Sequence, residues 1–268
     1  MANSFKKVLI TGCSHSANNT QSGWKKENLH KTFHNILEGT TDWKITNQAH
    51  GGCSNREIAQ RTVESCLTEQ YDLCIVQWSS LHRLWVYEAN SNNDNFTQVV
   101  PAVAGQLNVG NAPYAINKLM VAYYMNHYMA LKHWCHDQAM LQSFLKERGI
   151  PYVFLRGFEN FIPELEILAD QWPKDKISDL DIPPGIKLML NFDDSPDDYL
   201  YKKLSSLMLA YLAIDKSNCI GYNQSLMIYG IDPACMQPDY ADDGIHPGYL
   251  INTEISKIIL NFITKKLS

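Results

Sequence analysis

The sequence has little charge and no concentration of either sign. Charged residues make up 19% of the 268 positions, and 23 Lys and Arg against 28 Asp and Glu leave a net charge of −5. No basic run exceeds two residues, so the cationic face that nucleic-acid binding requires is missing. Long apolar runs are missing too. No window approaches the roughly 18 apolar residues of a membrane span, and the apolar part of MANSFKKVLITG is too short for a secretory signal. These absences predict a soluble, cytoplasmic protein with no nucleic-acid partner and no membrane span. They leave open release in a virion or by a route that needs no leader. The cysteines at 13, 53, 66, 74, 135, 219 and 235 form no CxxC pair, which reads as reduced, packed thiols rather than a disulfide framework. A P-loop pattern and a GxGxxG fingerprint are both absent, which counts against a nucleotide-binding protein that would cradle phosphate on residues 12 to 19.

What is present is apolar: 45% of residues are hydrophobic, enough for a substantial core. Near the N-terminus strands alternate with helices. Val8 to Thr11 reads as a buried strand, residues 25 to 38 as an amphipathic helix, and Trp43 to Gln48 as a second strand. Residues 54 to 67 begin with Ser54 and carry Glu57 three positions on, the spacing of a capping box. DLCIVQW, residues 72 to 78, is almost continuously apolar, as expected of a strand covered on both faces. Such alternation predicts a parallel sheet.

Beyond the third strand the regularity breaks. Residues 79 to 113 are Asn-rich and too long for an ordinary connector. From 114 to 148 the pattern is helical, and one straight helix of that length would reach about 50 Å, so a kink or two helices is expected. PYVFLRG, 151 to 157, is a fourth strand, and the proline-rich, acidic stretch 158 to 197 is a second insertion. A helix from 198 to 214, a short strand at 219 to 222 and a closing amphipathic helix complete the chain. The expectation is one domain spanning 1 to 268, with insertions at about 79 to 113 and 158 to 197.

The first strand runs into Gly12-Cys13-Ser14-His15-Ser16. In an open parallel sheet ligands collect beyond the carboxyl ends of the strands, and Ser14 falls there. Taken alone, Ser14 is equally a helix cap. The other end of the chain carries Asp243-Gly244-Ile245-His246, whose spacing lets the carboxylate reach the imidazole. A serine nucleophile needs such a base, and the base needs an acid to orient it. A third segment, Gly51-Gly52-Cys53-Ser54-Asn55, follows the second strand. Its glycines allow a backbone N–H to approach an oxyanion closely.

Together these segments resemble the SGNH (GDSL-type) hydrolase family. Gly12 to Ser16 is similar to its first block, Gly-Asp-Ser-x-Ser, with Cys13 in place of the aspartate. Gly51 to Asn55 resembles the second block, and Asp243 to His246 the last, Asp-x-x-His. The third block, Gly-x-Asn-Asp, is replaced by Gln77-Trp78-Ser79-Ser80, so the oxyanion-binding Asn is lost. The resemblance implies a flavodoxin-like three-layer α/β/α sandwich with about five parallel strands. It also implies ester hydrolysis through an acyl-serine, with Ser14 as nucleophile, His246 as base and Asp243 as its orienting acid. The oxyanion would be held by the N–H groups of Ser14 and Gly52, with Ser79 or Asn55 replacing the missing donor. No cofactor or metal is implied.

Trp78, Trp85 and Arg83 lie just past the third strand, as a surface for a sugar or acyl group or as a hydrophobic plug. His30/His34 and His133/His136 have helical spacing without an evident third ligand. Cys13 is an alternative nucleophile, and Asp242 an alternative acid with the wrong spacing. The substrate expected is a small or carbohydrate-linked ester, such as an O-acetylated glycan. The alternative is a weak or inactive glycan-binding or virion-associated module on the same scaffold.

Overall fold

The computed structural model describes residues 5–17, 25–81, 84–87, 96–99, 127–155, 162–173, 177–190, 196–220, 241–242 and 246–267. Five strands form an all-parallel sheet: β1 (Lys7–Thr11), β2 (Lys44–Asn47), β3 (Leu73–Gln77), β6 (Tyr152–Leu155) and β7 (Cys219–Ile220). Their order is β2-β1-β3-β6-β7, the doubly wound, flavodoxin-like order. Register is fixed by Val8 opposite Ile45, Ile10 opposite Ile75 and Gln77 opposite Leu155.

Alternation along the strands builds two cores. Val8, Ile10, Leu73, Ile75, Val153 and Leu155 point to one face. There they pack on α1 (Phe33–Thr40) and α7 (Tyr249–Leu267) through Phe33, Leu37, Ile255 and Ile259. Leu9, Cys74, Val76, Tyr152 and Phe154 point the other way, onto Ile58 of α2 (Asn55–Thr68) and Leu141 and Leu145 of α3 (His127–Glu147). Each sheet face is therefore covered by two helices, giving the three-layer α/β/α sandwich. A third cluster joins Leu131 and Trp134 of α3 to α4 (Ile162–Gln171), α5 (Pro184–Leu190) and α6 (Asp197–Leu212).

One reading of the sequence is corrected, and the two expected insertions contain regular elements. Residues 25 to 38 are not one helix: a 3-10 turn, Lys26–Lys31, is separated from α1 by Thr32, whose backbone is extended (φ −74°, ψ 149°). Thr32 Oγ1 and Asn35 Nδ2 both donate to the Leu29 carbonyl. These local side-chain bonds compete with the helical ladder. The 79 to 113 segment contains an antiparallel pair, β4 (Leu84–Tyr87) with β5 (Phe96–Val99). Among the described residues of 158 to 197 are the helices α4 and α5, whose Leu165, Leu168, Ile186 and Leu190 bury against α3 and α6. Among the described residues no helix is long and apolar enough to cross a membrane.

Candidate active site

Three loops leave the carboxyl edge of the sheet side by side. After β1 the chain makes a single 3-10 turn, Ser14–Ser16, closed by Ser16 N–H to the Cys13 carbonyl (3.0 Å) and Ala17 N–H to the Ser14 carbonyl (3.2 Å). Ser14 is 8% exposed. After β2, His50 N–H donates to the Gly12 carbonyl (3.1 Å), and Asn47 Nδ2 donates to the Ser16 carbonyl (2.7 Å). These bonds hold the Gly51-Gly52 turn against the Ser14 turn. Gly52 has φ 84°, a conformation that disfavours any side chain.

After β3 the chain is clamped from α2. Ser54 caps that helix by accepting from Glu57 N–H (3.2 Å), as its spacing predicts. Asn55, in the first turn, accepts from Ser79 N–H at 2.7 Å and donates to the Ser79 and Ser80 carbonyls at 3.1 Å each. Its amide hydrogens are thereby engaged, so Asn55 shapes the β3 loop rather than offering a hydrogen to an oxyanion. The Ser79 hydroxyl is different. It is buried and has no hydrogen-bond partner among the described residues, a state that calls for an explanation in a polar group.

Beneath these loops lies Gln77, the last residue of β3 and fully buried. Its Oε1 accepts from Cys13 N–H (3.2 Å), Cys13 Sγ (3.1 Å) and Ser16 Oγ (3.1 Å), while its Nε2 donates to the Trp78 carbonyl. Gly12 makes room for it: a Cβ there would lie 2.9 Å from Gln77 Cβ and 3.0 Å from both Gln77 Oε1 and Ser16 Oγ. In the sequence Gln77 is visible only as the start of the segment that replaces the third family block, with no role attached to it. What marks it there is one amide ending an otherwise apolar strand.

The chain's far end arrives at the same place. The ring centroid of His246 lies 5.0 Å from that of His15, the planes inclined by 54°. Asn252 of α7 holds this approach by donating to the Pro247 (2.9 Å) and Gly248 (2.8 Å) carbonyls and accepting from Phe33 N–H (3.1 Å). Asp242 anchors the other side. Its carboxylate accepts from Lys25 N–H (2.8 Å) and Asn28 Nδ2 (3.1 and 3.0 Å), which holds its pKa below the usual carboxylate range. Asp242 is thus tied to the 26–31 turn and not to His246. Asp243 and Arg83 lie outside the described residues, and Trp85 is a position of β4.

Trp78 is 1% exposed and packs edge-on against Phe154, with centroids 5.2 Å apart. It fills the core beneath the rim, the plug alternative. Cys13 and Cys53 are also fully buried. Burial, then the nearby Glu57 carboxylate, pushes the Cys53 thiol up to about 12, so it remains protonated at neutral pH. The Cys13 thiol is a donor to Gln77. Of the histidine pairs, His30 Nδ1 faces the Glu27 carbonyl at 3.0 Å and His34 is buried. Among the described residues no group of three His, Cys, Asp or Glu is placed to hold a metal.

No protein-family model matches the chain and no curated protein does. Solved structures do, over their whole length. EstA, a psychrotrophic esterase from Pseudoalteromonas sp., is 10% identical with a TM-score of 0.46, covering 98% of each chain. A variant of Axe2, an acetyl-xylooligosaccharide esterase from Geobacillus, is 11% identical with a TM-score of 0.47, covering 98% of this chain and 95% of that one. A lipase/acylhydrolase from Enterococcus faecalis is 9% identical with a TM-score of 0.45, covering 97% and 96%.

Proposed function

We propose that the chain is a serine esterase of SGNH type that hydrolyses a small or carbohydrate-linked ester, such as an O-acetyl group, through an acyl-serine. The observation that carries the reading is the contact of His246 with His15. It sets His246, the last residue of the Asp-x-x-His pattern, beside the residue that follows Ser14. In this mechanism His246 takes the Ser14 hydroxyl proton as Oγ attacks the ester carbonyl. The N–H groups of Ser14 and Gly52 receive the oxyanion, and the orphaned Ser79 hydroxyl is the side-chain donor in place of the family's Asn. His246 then returns its proton to the departing alkoxide. Water, activated by the same imidazole, releases the acyl group, while Asp243 fixes the imidazole's tautomer. The long segments inserted after β3 and β6 favour a polar, sugar-borne ester over a long-chain lipid.

The test is hydrolysis of a short-chain chromogenic ester, with fluorophosphonate labelling of the serine. Wild type is expected to turn over and label, and Ser14→Ala to do neither. Equal rates in the two proteins would end the assignment. A second reading is a glycan-binding module with little or no catalysis. It is favoured by the departure at Gln77 to Ser80 and by the engagement of Asn55 with Ser79 and Ser80. Stoichiometric glycan binding by a protein that resists the fluorophosphonate would select it.

A further inference from the structure

Ser14 itself is one residue of a short turn, and a single 3-10 turn has few internal bonds with which to hold a nucleophile still. Beside the bonds from Asn47 and His50, those that grip the residues on both sides of Ser14 come from β3, its neighbour in the sheet. Gln77 Oε1 receives three donors from the residues that bracket Ser14: the N–H and thiol of Cys13 on one side and the hydroxyl of Ser16 on the other. The amide cannot swing away, because its Nε2 is committed to the Trp78 carbonyl and the side chain is fully buried. Gly12 closes the arrangement, since a methyl group there would press on both Gln77 and Ser16. An apolar residue would satisfy the packing of β3 equally well. A buried amide with this bond set is costly unless every bond is made.

We infer that Gln77 is the positioning residue of the nucleophile: it fixes the Ser14 turn in the attacking geometry by holding Cys13 and Ser16 from below. This rests on the serine-hydrolase reading above, and it assigns Gln77 no contact with substrate. It also explains how the turn tolerates a cysteine at the family's aspartate position. The Cys13 thiol supplies a donor that Gln77 accepts, so two of the departures from the family pattern, Cys13 and Gln77, form one bonded pair.

The experiment compares Gln77→Leu, Gln77→Glu and Ser16→Ala with wild type in kcat, KM, fluorophosphonate labelling rate and melting temperature. Displacing a nucleophile by about 1 Å costs on the order of 100-fold. Gln77→Leu is therefore expected to lower kcat and the labelling rate together by about that factor, with KM within about threefold. Gln77→Glu keeps an acceptor oxygen and, measured against wild type at the same pH, is expected to recover most of the loss as pH falls, where a protonated carboxyl also keeps a donor for the Trp78 carbonyl. Ser16→Ala removes one donor without touching the strand and is expected to lower kcat about tenfold, with a fall in melting temperature of no more than a few degrees. A folded Gln77→Leu with wild-type kcat and labelling overturns the inference. If that variant does not fold, wild-type kcat in Ser16→Ala overturns it. Active wild type with inactive Ser14→Ala but unaffected Gln77 variants sinks this inference alone. A wild type that neither hydrolyses nor labels sinks the hydrolase reading and takes the inference with it.

Discussion

His246 lies with its ring 5.0 Å from that of His15, although one precedes the last helix and the other belongs to the turn after the first strand. The two ends meet because α1 and α7 share one core and because Asn252 and Asp242 tie the segment around His246 to residues 25 to 33. If this junction forms a proton relay, its members act as a unit. Ser14→Ala and His246→Ala are each expected to lower kcat by at least about 1000-fold, and the double variant to be no slower than the worse single one. Steady-state kinetics on one ester checks this. Multiplicative losses would show that the serine and histidine work independently.

Asp242 and Asp243 are neighbours with different expected roles. Asp242 spends its carboxylate on Lys25 N–H and Asn28 Nδ2, so Asp242→Asn is expected to leave kcat within about threefold of wild type. Asp243→Asn is expected to lose about 10⁴-fold, the scale of a triad histidine left in the wrong tautomer. The reverse ranking would make Asp242 the orienting acid.

Much of this architecture was legible in the chain. Leu73 to Gln77 and Tyr152 to Leu155 read as buried strands because both faces are covered and every position is enclosed. The Ser54 cap was legible because the capping geometry is local. What escaped depended on contacts that periodicity does not carry. Thr32 breaks the expected 25 to 38 helix through bonds to Leu29. The helices within 158 to 197 owe their stability to burial against α3 rather than to their proline-rich composition. At the site, glycine and serine motifs announced the loops. The residues that hold those loops, Asn47, Asn55 and Gln77, are amides whose role emerges only from what they bond.

The Asn55 clamp and the Ser79 hydroxyl separate stability from catalysis. Asn55→Ala removes three bonds from a buried site and leaves Ser79 N–H unsatisfied, a loss of about 2–3 kcal/mol. Asn55→Asp is expected to be worse at neutral pH, because a carboxylate cannot donate and would face two carbonyls. Ser79→Ala deletes a hydroxyl that has no described partner, so its unfolding midpoint is expected to stay near wild type. Its kcat is expected to fall about 100- to 1000-fold if that hydroxyl meets the oxyanion. Urea unfolding alongside ester kinetics reads both quantities. A Ser79→Ala protein as active as wild type removes Ser79 from the oxyanion hole.

His34 is buried on α1, and burial lowers its pKa from the ordinary 6.5 to about 4. The folded protein thus resists a proton that the unfolded chain accepts. Its contribution to stability is whole above pH 6.5 and shrinks as pH falls through 4, by roughly 3 kcal/mol in all. Replacement by a neutral residue, as in His34→Gln, is expected to flatten the fall of stability between pH 6.5 and 4 relative to wild type. Identical slopes in urea midpoint against pH would mean that His34 is protonated equally in both states.

Asp137 has the opposite sign. It is buried on α3 between that helix and α2, and burial raises its carboxyl to about 6 despite an ion pair with Arg56 Nε at 2.7 Å. A raised carboxyl binds its proton more tightly in the folded state, so its own contribution to stability is greatest below pH 3.8 and falls as pH rises through 6. Arg56 is 62% exposed and stays solvated without its partner, so little is lost by removing the charge. Asp137→Asn is therefore expected to stabilise the protein at pH 8 by about 1 kcal/mol or more, with the gain vanishing toward pH 4. Unfolding midpoints at the two pH values decide the point: a variant less stable than wild type at pH 8 would show that the Arg56 pair outweighs the cost of burying the carboxylate.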